Sequence, residues 1–404
     1  MQISNGVKIE LIMFNMSSFS EWQKGIANRN YHLFSNFRKS DKIKRIVSVD
    51  FLPFTFRRCL RNYWENILFR IKGEKIYQDL TTRCVKLQNE SPAESYIFSS
   101  LDSFFSQEKF FNKLNYLLEK IGDGEKKIRI VWSCFPMFVS YFDKIKADLY
   151  IFDAVDNWLL HKSFVGWKKK LEENYKVIAE RADLIFTVAE ELKNFFKSLG
   201  REKDVYPIEN GVDFHHFNEP FKNYCDRKFE KIKKPIIGYI GTIEERIDAD
   251  LLSYLASENP EKSFVLIGPL WPNFRSELKK FRKFRNVHLL GRRPYQVSPY
   301  YLQNFEVAII PHKMNEFMKH TSSLKLLEYF SASKPVVSIP ASGAEKLGHL
   351  VYLANNFSEF KKGINQALLE DSQELKEKRK EYALLNSWEK RVKEMIKIIK
   401  EKIL

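Results

Sequence analysis

The stretch TSSLKLLEYFSASKPVVSIP, residues 321–340, decides how the rest of this 404-residue chain is read. Ser322 and Ser323 stand where a helix begins, and a helix start offers unpaired backbone N–H groups and the positive end of the macrodipole to an anion. Lys325 and Glu328 follow three positions apart and so share one face: a cation suited to diphosphate oxygens and a carboxylate suited to vicinal hydroxyls. Pro335 cannot continue the helix, and the apolar run Val336, Val337, Ile339 then reads as a buried strand. Taken alone, the same pattern also describes a solvated amphipathic helix with a surface Lys325–Glu328 pair.

Working outward, the chain after Pro235 alternates short apolar runs (PIIGYIG, SFVLIG, VHLLG, VAIIP, PVVSI) with amphipathic or polar segments, the rhythm of a parallel sheet covered by helices. The first half repeats it with KIELIMF, KIKRIVSV, IRIVWSC, ADLYIFDAVD, ADLIFTVA and VYPIEN. The expected fold class is therefore α/β with two doubly wound, Rossmann-like domains. Asn210-Gly211 and Pro220 punctuate the segment YPIENGVDFHHFNEP between them.

The length exceeds what one core usually fills, which also favours two domains. No run of about 20 apolar residues suits a bilayer span, and MQISNGVKIELIMF lacks the charge and cleavage pattern of a secretory signal, so a cytoplasmic location is expected. Four scattered cysteines show no metal-clip or redox spacing, and no metal or other cofactor is expected. The net charge of +16 favours a partner of opposite sign: nucleic acid, anionic membrane or phosphorylated substrate.

Residues 321–340 resemble the C-terminal donor site of the GT-B glycosyltransferases, whose common form is close to "PLKLxEYxAxGKPVV". Within that fold the likeness is to the family 4 group that builds bacterial surface polysaccharides, and to the xanthan-type glucuronosyltransferases. The resemblance implies a GT-B architecture, two Rossmann-like domains facing across a cleft. It places an acceptor domain at residues 1–210, a nucleotide-sugar domain at 211–383, and a closing helix at about 384–404 that packs back onto the first. It also implies a sugar transferred from a nucleotide-diphosphate sugar, most commonly a UDP-sugar, to a saccharide or lipid-linked saccharide in polysaccharide or glycoconjugate assembly. The segment 206–220 is similar to the family's hinge "PNGVDxxxF", with Glu209 where Pro is usual.

The same resemblance assigns further donor-side residues. Gly241 and Thr242 end the strand PIIGYIG in a pattern similar to "GYIGTIxxxxD", with backbone amides near the diphosphate. Arg246 is the cation of the following loop, although a pair with Glu244 or Glu245 is an equal reading. Gly268 ends the next strand, and Arg292 and Tyr295 follow the third in "HLLGRxPYxxxPxYL", beside the base. Family 4 enzymes carry two glutamates flanking seven residues; Glu328 matches the second, while His320 occupies the first place and Glu316 lies further back. The xanthan-type group lacks that first glutamate too and inverts, so inverting and retaining transfer both stay open.

In LYIFDAVDNWLLHK (149–162) a strand delivers Asp153 and Asp156 to its carboxyl end, where open parallel sheets bind ligands. Asp156 is the candidate base for the acceptor hydroxyl, with Asp153 and His161 behind it; both aspartates could equally be caps or turn residues. Trp22 and Arg29, in SSFSEWQKGIANRNYHLF, match a "W...R...HL" pattern lining the acceptor side of relatives. From Phe54 to Arg70, FTFRRCLRNYWENILFR mixes arginines with apolar residues as an interfacial helix does, which would hold the chain on an anionic membrane, the inner face of the plasma membrane. A surface helix burying its apolar side on its own domain is the alternative. Two other functions share the broader features: a nucleotide-sugar 2-epimerase of the same fold, which needs no acceptor, and a basic nucleic-acid-binding protein. The second finds no helix-turn-helix, zinc spacing or RNP-like motif here.

Overall fold

The computed structural model describes residues 8–50, 56–67, 71–88, 91–222, 224–369 and 372–403. The chain divides into two units, Met1–Ile208 with Val392–Leu404, and Glu209–Arg391. Residues 384–391 thus belong to the second unit, whereas the sequence placed them in the segment returning to the first.

The described residues of the first unit build one sheet from β1 (Lys8–Phe14), β2 (Ile43–Val49), β3 (Glu74–Gln78), β4 (Thr82–Lys86), β5 (Glu94–Ser100), β6 (Lys127–Ser133), β7 (Leu149–Ala154), β8 (Leu184–Thr187) and β9 (Val205–Pro207). Their order is β3-β4-β5-β2-β1-β6-β7-β8-β9. From β5 onward in that order neighbours pair in parallel, and β3-β4-β5 form an antiparallel edge that the alternation of apolar runs did not announce. In the helix Trp388–Ile403, Val392, Met395, Ile396 and Ile399 are buried. Their i, i+3, i+4, i+7 spacing makes one apolar stripe.

The second unit has β10 (Ile236–Ile240), β11 (Ser263–Ile267), β12 (Val287–Gly291), β13 (Val307–Ile310), β14 (Val336–Ser338) and β15 (Val351–Leu353). They are parallel throughout, in the order β12-β11-β10-β13-β14-β15. Both faces are covered: Val265 and Ile267 of β11 join one core cluster, and Phe264 and Leu266 join the other. That double burial is why these strands read as unbroken apolar runs.

Candidate functional site

The helix after β13 runs over Leu324–Ser331, with Ser323 as its N-cap. Leu326, Leu327, Tyr329 and Phe330 are buried, and the Tyr329 hydroxyl accepts from the Ile240 N–H at 3.0 Å, which ties the helix to the carboxyl end of β10. Lys325, half-buried on the remaining face, therefore lies against Gly241, the first residue after β10. A Cβ at Gly241 would stand 2.8 Å from Lys325 Nζ and 2.9 Å from the Tyr239 hydroxyl. The Lys325 ammonium also sits 5.5 Å from the centroid of the Tyr239 ring. Any side chain at 241 would have to push the Lys325 ammonium aside, and the backbone there has φ 157°, which L side chains rarely adopt.

Glycines also fasten the neighbouring strand ends. Gly241 N–H donates to the Ile267 carbonyl at 2.8 Å and Gly268 N–H to the Gly291 carbonyl at 3.0 Å, which ties the ends of β10, β11 and β12 together across a register shift at Leu266/Ile267. Thr242 accepts from the Tyr239 hydroxyl through its carbonyl at 3.1 Å. Asp248 caps the helix Ala249–Glu258 by accepting from Asp250 N and Leu251 N. The carboxyl edge of a parallel sheet, with a glycine turn and a helix start beside it, is where open α/β folds bind ligands.

The two serines divide their work. Ser323 makes no side-chain bond to the helix, which leaves the first-turn amides without a side-chain cap. Ser322 is instead a brace: its carbonyl accepts from the Asn210 amide at 2.9 Å and its hydroxyl from Asn210 N–H at 3.3 Å. Asn210, read from sequence only as a turn residue, is buried and holds the helix start.

The electrostatics around Lys325 are those of a charge kept from full hydration. Burial and the nearby Arg246 lower the Lys325 ammonium to about 8, against the opposing pull of Glu328 and Glu244. Burial pushes the Glu328 carboxyl up to about 7, with Lys325 opposing. His312, just beyond β13, is buried with Nδ1 unpartnered among the described residues. Burial, Lys325 and Arg246 hold its imidazole well below the ordinary range, so it is neutral at pH 7. Arg246 is paired with the buried Glu244 and lies 5.9 Å from the Phe317 centroid; it contributes positive potential rather than an unengaged guanidinium.

Other expected residues stand differently. Arg292 is exposed, and Arg293 beside it is bound to Asp226 at 2.9 Å and to the Tyr301 hydroxyl at 2.8 Å. The Tyr295 ring stacks on His216 with centroids 4.5 Å apart, so one of its faces is already covered. Glu316 is exposed and paired with Lys319 at 2.9 Å.

In the first unit, Asp153 at the end of β7 is fully buried and bound by Arg29 through bonds of 2.9–3.1 Å. Asp153, expected behind the candidate base, and Arg29, expected on the acceptor side, neutralise each other inside the core. Trp22 is also buried, donating to the Ser17 hydroxyl at 2.7 Å and packed on Phe34. His161 accepts from Ser163 N–H at 3.2 Å as a cap. Asp156 is half-buried on the turn after β7, its carbonyl accepting from the Tyr175 hydroxyl at 3.2 Å.

Asp50, directly after β2, was missed. It is buried, accepts from Phe19 N–H at 2.8 Å and from the Ser99 hydroxyl, and burial pushes it up to about 7. It lines a cavity of about 10 Å³ with Asn15 and Ser133, room for one water. A lone Asp after a strand reads as a cap, so nothing local distinguished it. No cluster of three or more His, Cys, Asp or Glu that could hold a metal occurs among the described residues, and no described helix is long and apolar enough to cross a membrane. The cysteines are free thiols.

Residues 234–371 match the family model described as glycosyl transferases group 1. The second unit carries a group 1 glycosyltransferase domain. The chain is 27% identical over 260 residues to TuaH of Bacillus subtilis (strain 168), named for a role as a teichuronic acid biosynthesis glycosyltransferase. That match covers 62% of this chain and 64% of TuaH, under two thirds of the relative. Among solved structures, HepE of Anabaena in complex with UDP superposes with a TM-score of 0.63 at 12% identity, over 98% of this chain and all of HepE. Sucrose-phosphate synthase of Thermosynechococcus elongatus gives 0.66 at 11%, over 98% and 99%. The chain has the α/β fold of the GT-B glycosyltransferases, two parallel-sheet units, of which the group 1 domain occupies the second.

Proposed function

We propose that the chain is a glycosyltransferase that moves a sugar from a nucleotide-diphosphate sugar, a UDP-sugar first of all, to a saccharide or lipid-linked saccharide during bacterial surface polysaccharide assembly. The observation that carries this reading is the Lys325 ammonium held against Gly241 at the carboxyl edge of the second sheet, beside a helix start whose amides lack a side-chain cap. A diphosphate would take the cation and the amides together, and its charge would offset the burial that depresses Lys325. Glu328 on the same face suits the ribose hydroxyls. In an inverting transfer the acceptor oxygen bonds to the anomeric carbon as the bond to the diphosphate oxygen breaks, and Asp156 takes the acceptor proton. In a retaining transfer the leaving phosphate takes that proton, and stabilisation of its charge by Lys325 and the amides carries the step. The nucleotide-sugar is substrate, and neither route calls for a resident metal. An acceptor on a lipid carrier would place the chain on the cytoplasmic face of the membrane, as a peripheral protein.

The test is thermal shift of the full chain against UDP, GDP, ADP and CMP. A nucleoside diphosphate at 100 times its Kd is expected to add about 2.7 kcal/mol to the unit that binds it; no shift with any of them refutes the donor site. Asp156→Asn is expected to abolish turnover with nucleotide affinity unchanged if the transfer inverts.

A further inference from the structure

The helix Phe56–Asn62 and the turn that continues it, Tyr63–Ile67, carry an apolar stripe on the wrong side for a soluble domain. Phe56, Leu60 and Trp64, spaced by four and four, are 56%, 46% and 55% exposed, while Cys59 between them in sequence is buried. Surface helices normally turn such a stripe inward. A second segment, remote in sequence, extends it: Phe104 and Phe105 on the short helix Asp102–Phe105 are 37% and 63% exposed, and the Phe56 and Phe104 rings lie 6.2 Å apart. Of the sequence segment 54–70, residues 54–55 and 68–70 lie outside the described residues. The ridge made by the two described segments does not depend on them.

The charge at this ridge is positive. The described residues 56–67 hold three arginines against one glutamate in sequence. That glutamate, Glu65, is bound by Lys24, and the neighbouring Glu21 by Arg61. Arg57 is exposed with no ion pair among the described residues, Glu108 and Lys109 cancel at the start of the next helix, and the whole chain carries +16. An exposed aromatic ridge within a basic segment matches the boundary between headgroups and acyl chains of an anionic bilayer, which takes up rings and attracts cations together.

We propose that this two-segment ridge is the membrane-docking surface of the chain, with Phe104 and Phe105 entering the bilayer boundary beside the stripe of Phe56, Leu60 and Trp64. It rests on the peripheral membrane reading above and adds which atoms make the contact, including a segment that the sequence did not single out.

The test is co-sedimentation of the full chain with phosphatidylcholine vesicles and with vesicles containing phosphatidylglycerol. Wild type is expected to bind the anionic vesicles about tenfold more tightly, and Phe104→Ser with Phe105→Ser to weaken that binding about tenfold; Phe105→Ser alone, at the more exposed ring, is expected to weaken it in the same direction with an unchanged melting temperature. Arg57→Glu is expected to weaken it further and to flatten its salt dependence. If wild type binds anionic vesicles and the double variant binds equally well, the ridge is wrong while membrane attachment stands. If wild type binds neither vesicle, both fall. A vesicle-free dimer that the double variant dissolves, with vesicle binding intact, would make the ridge a self-association surface and overturn the proposal.

Discussion

The carboxyl edges of the two sheets treat charge in opposite ways. In the second unit, Lys325 is half-buried, depressed to about 8 and backed by a glycine that leaves it room. In the first, Arg29 and Asp153 are buried against one another as an ion pair. A depressed cation is an unfinished interaction, whereas a satisfied ion pair is a finished one. The difference sets a cation with binding capacity to spare in the second unit against a pair that serves the frame of the first.

The largest effect expected from this contrast is on folding. Arg29→Ala strands the Asp153 carboxylate in the core and should destabilise the first unit by about 3–5 kcal/mol, whereas Arg29→Met with Asp153→Leu should cost little or nothing. Urea unfolding of the full chain checks both, and equal losses in the two variants would show that Asp153 needs its charge.

A comparable effect, spread over several pH units, comes from the carboxyls pushed up to about 7, Asp50 in the first unit and Glu328 in the second. Each folded form keeps a proton that the unfolded chain releases near pH 4. The stability each contributes is complete below that pH and declines as pH rises to about 7, by up to about 1.4 kcal/mol per pH unit. Asp50→Asn should flatten this decline for the first unit and Glu328→Gln for the second, followed by thermal unfolding from pH 4 to 8. If either variant keeps the wild-type slope, that carboxyl is not the group responsible.

The smallest is local. Asn210→Ala removes the side-chain bond to the Ser322 carbonyl, while the backbone N–H can still donate to the Ser322 hydroxyl, and should cost about 1 kcal/mol, with a matching loss of amide protection at the helix start seen by hydrogen exchange.

How much of this was legible follows from what sequence records. Strands buried on both faces, such as SFVLI at β11, announce themselves as apolar runs. The edge strand EKIYQ at β3 does not, because it is largely exposed and alternates without a clear apolar face. The Lys325–Glu328 face was legible because three residues make a helical turn. The Arg29–Asp153 pair was not, since its partners are 124 positions apart and only the fold joins them. Ser322 was placed correctly at the helix start, yet its service to Asn210 depends on a contact 112 positions away. Trp22 fitted a family pattern and still turned into the core, because a ring packed on Phe34 gains more from burial than from a solvent-facing wall.

The most direct measurement is calorimetric titration of UDP into wild type and Lys325→Met between pH 6.5 and 9. Wild-type affinity should fall as pH passes about 8 and the free ammonium loses its proton. Lys325→Met should bind about 30-fold more weakly at pH 7 with no such pH dependence, and should be at least as stable, because a buried charge has been removed. Equal affinity and an identical pH profile in the two proteins would contradict the claim that Lys325 grips the diphosphate.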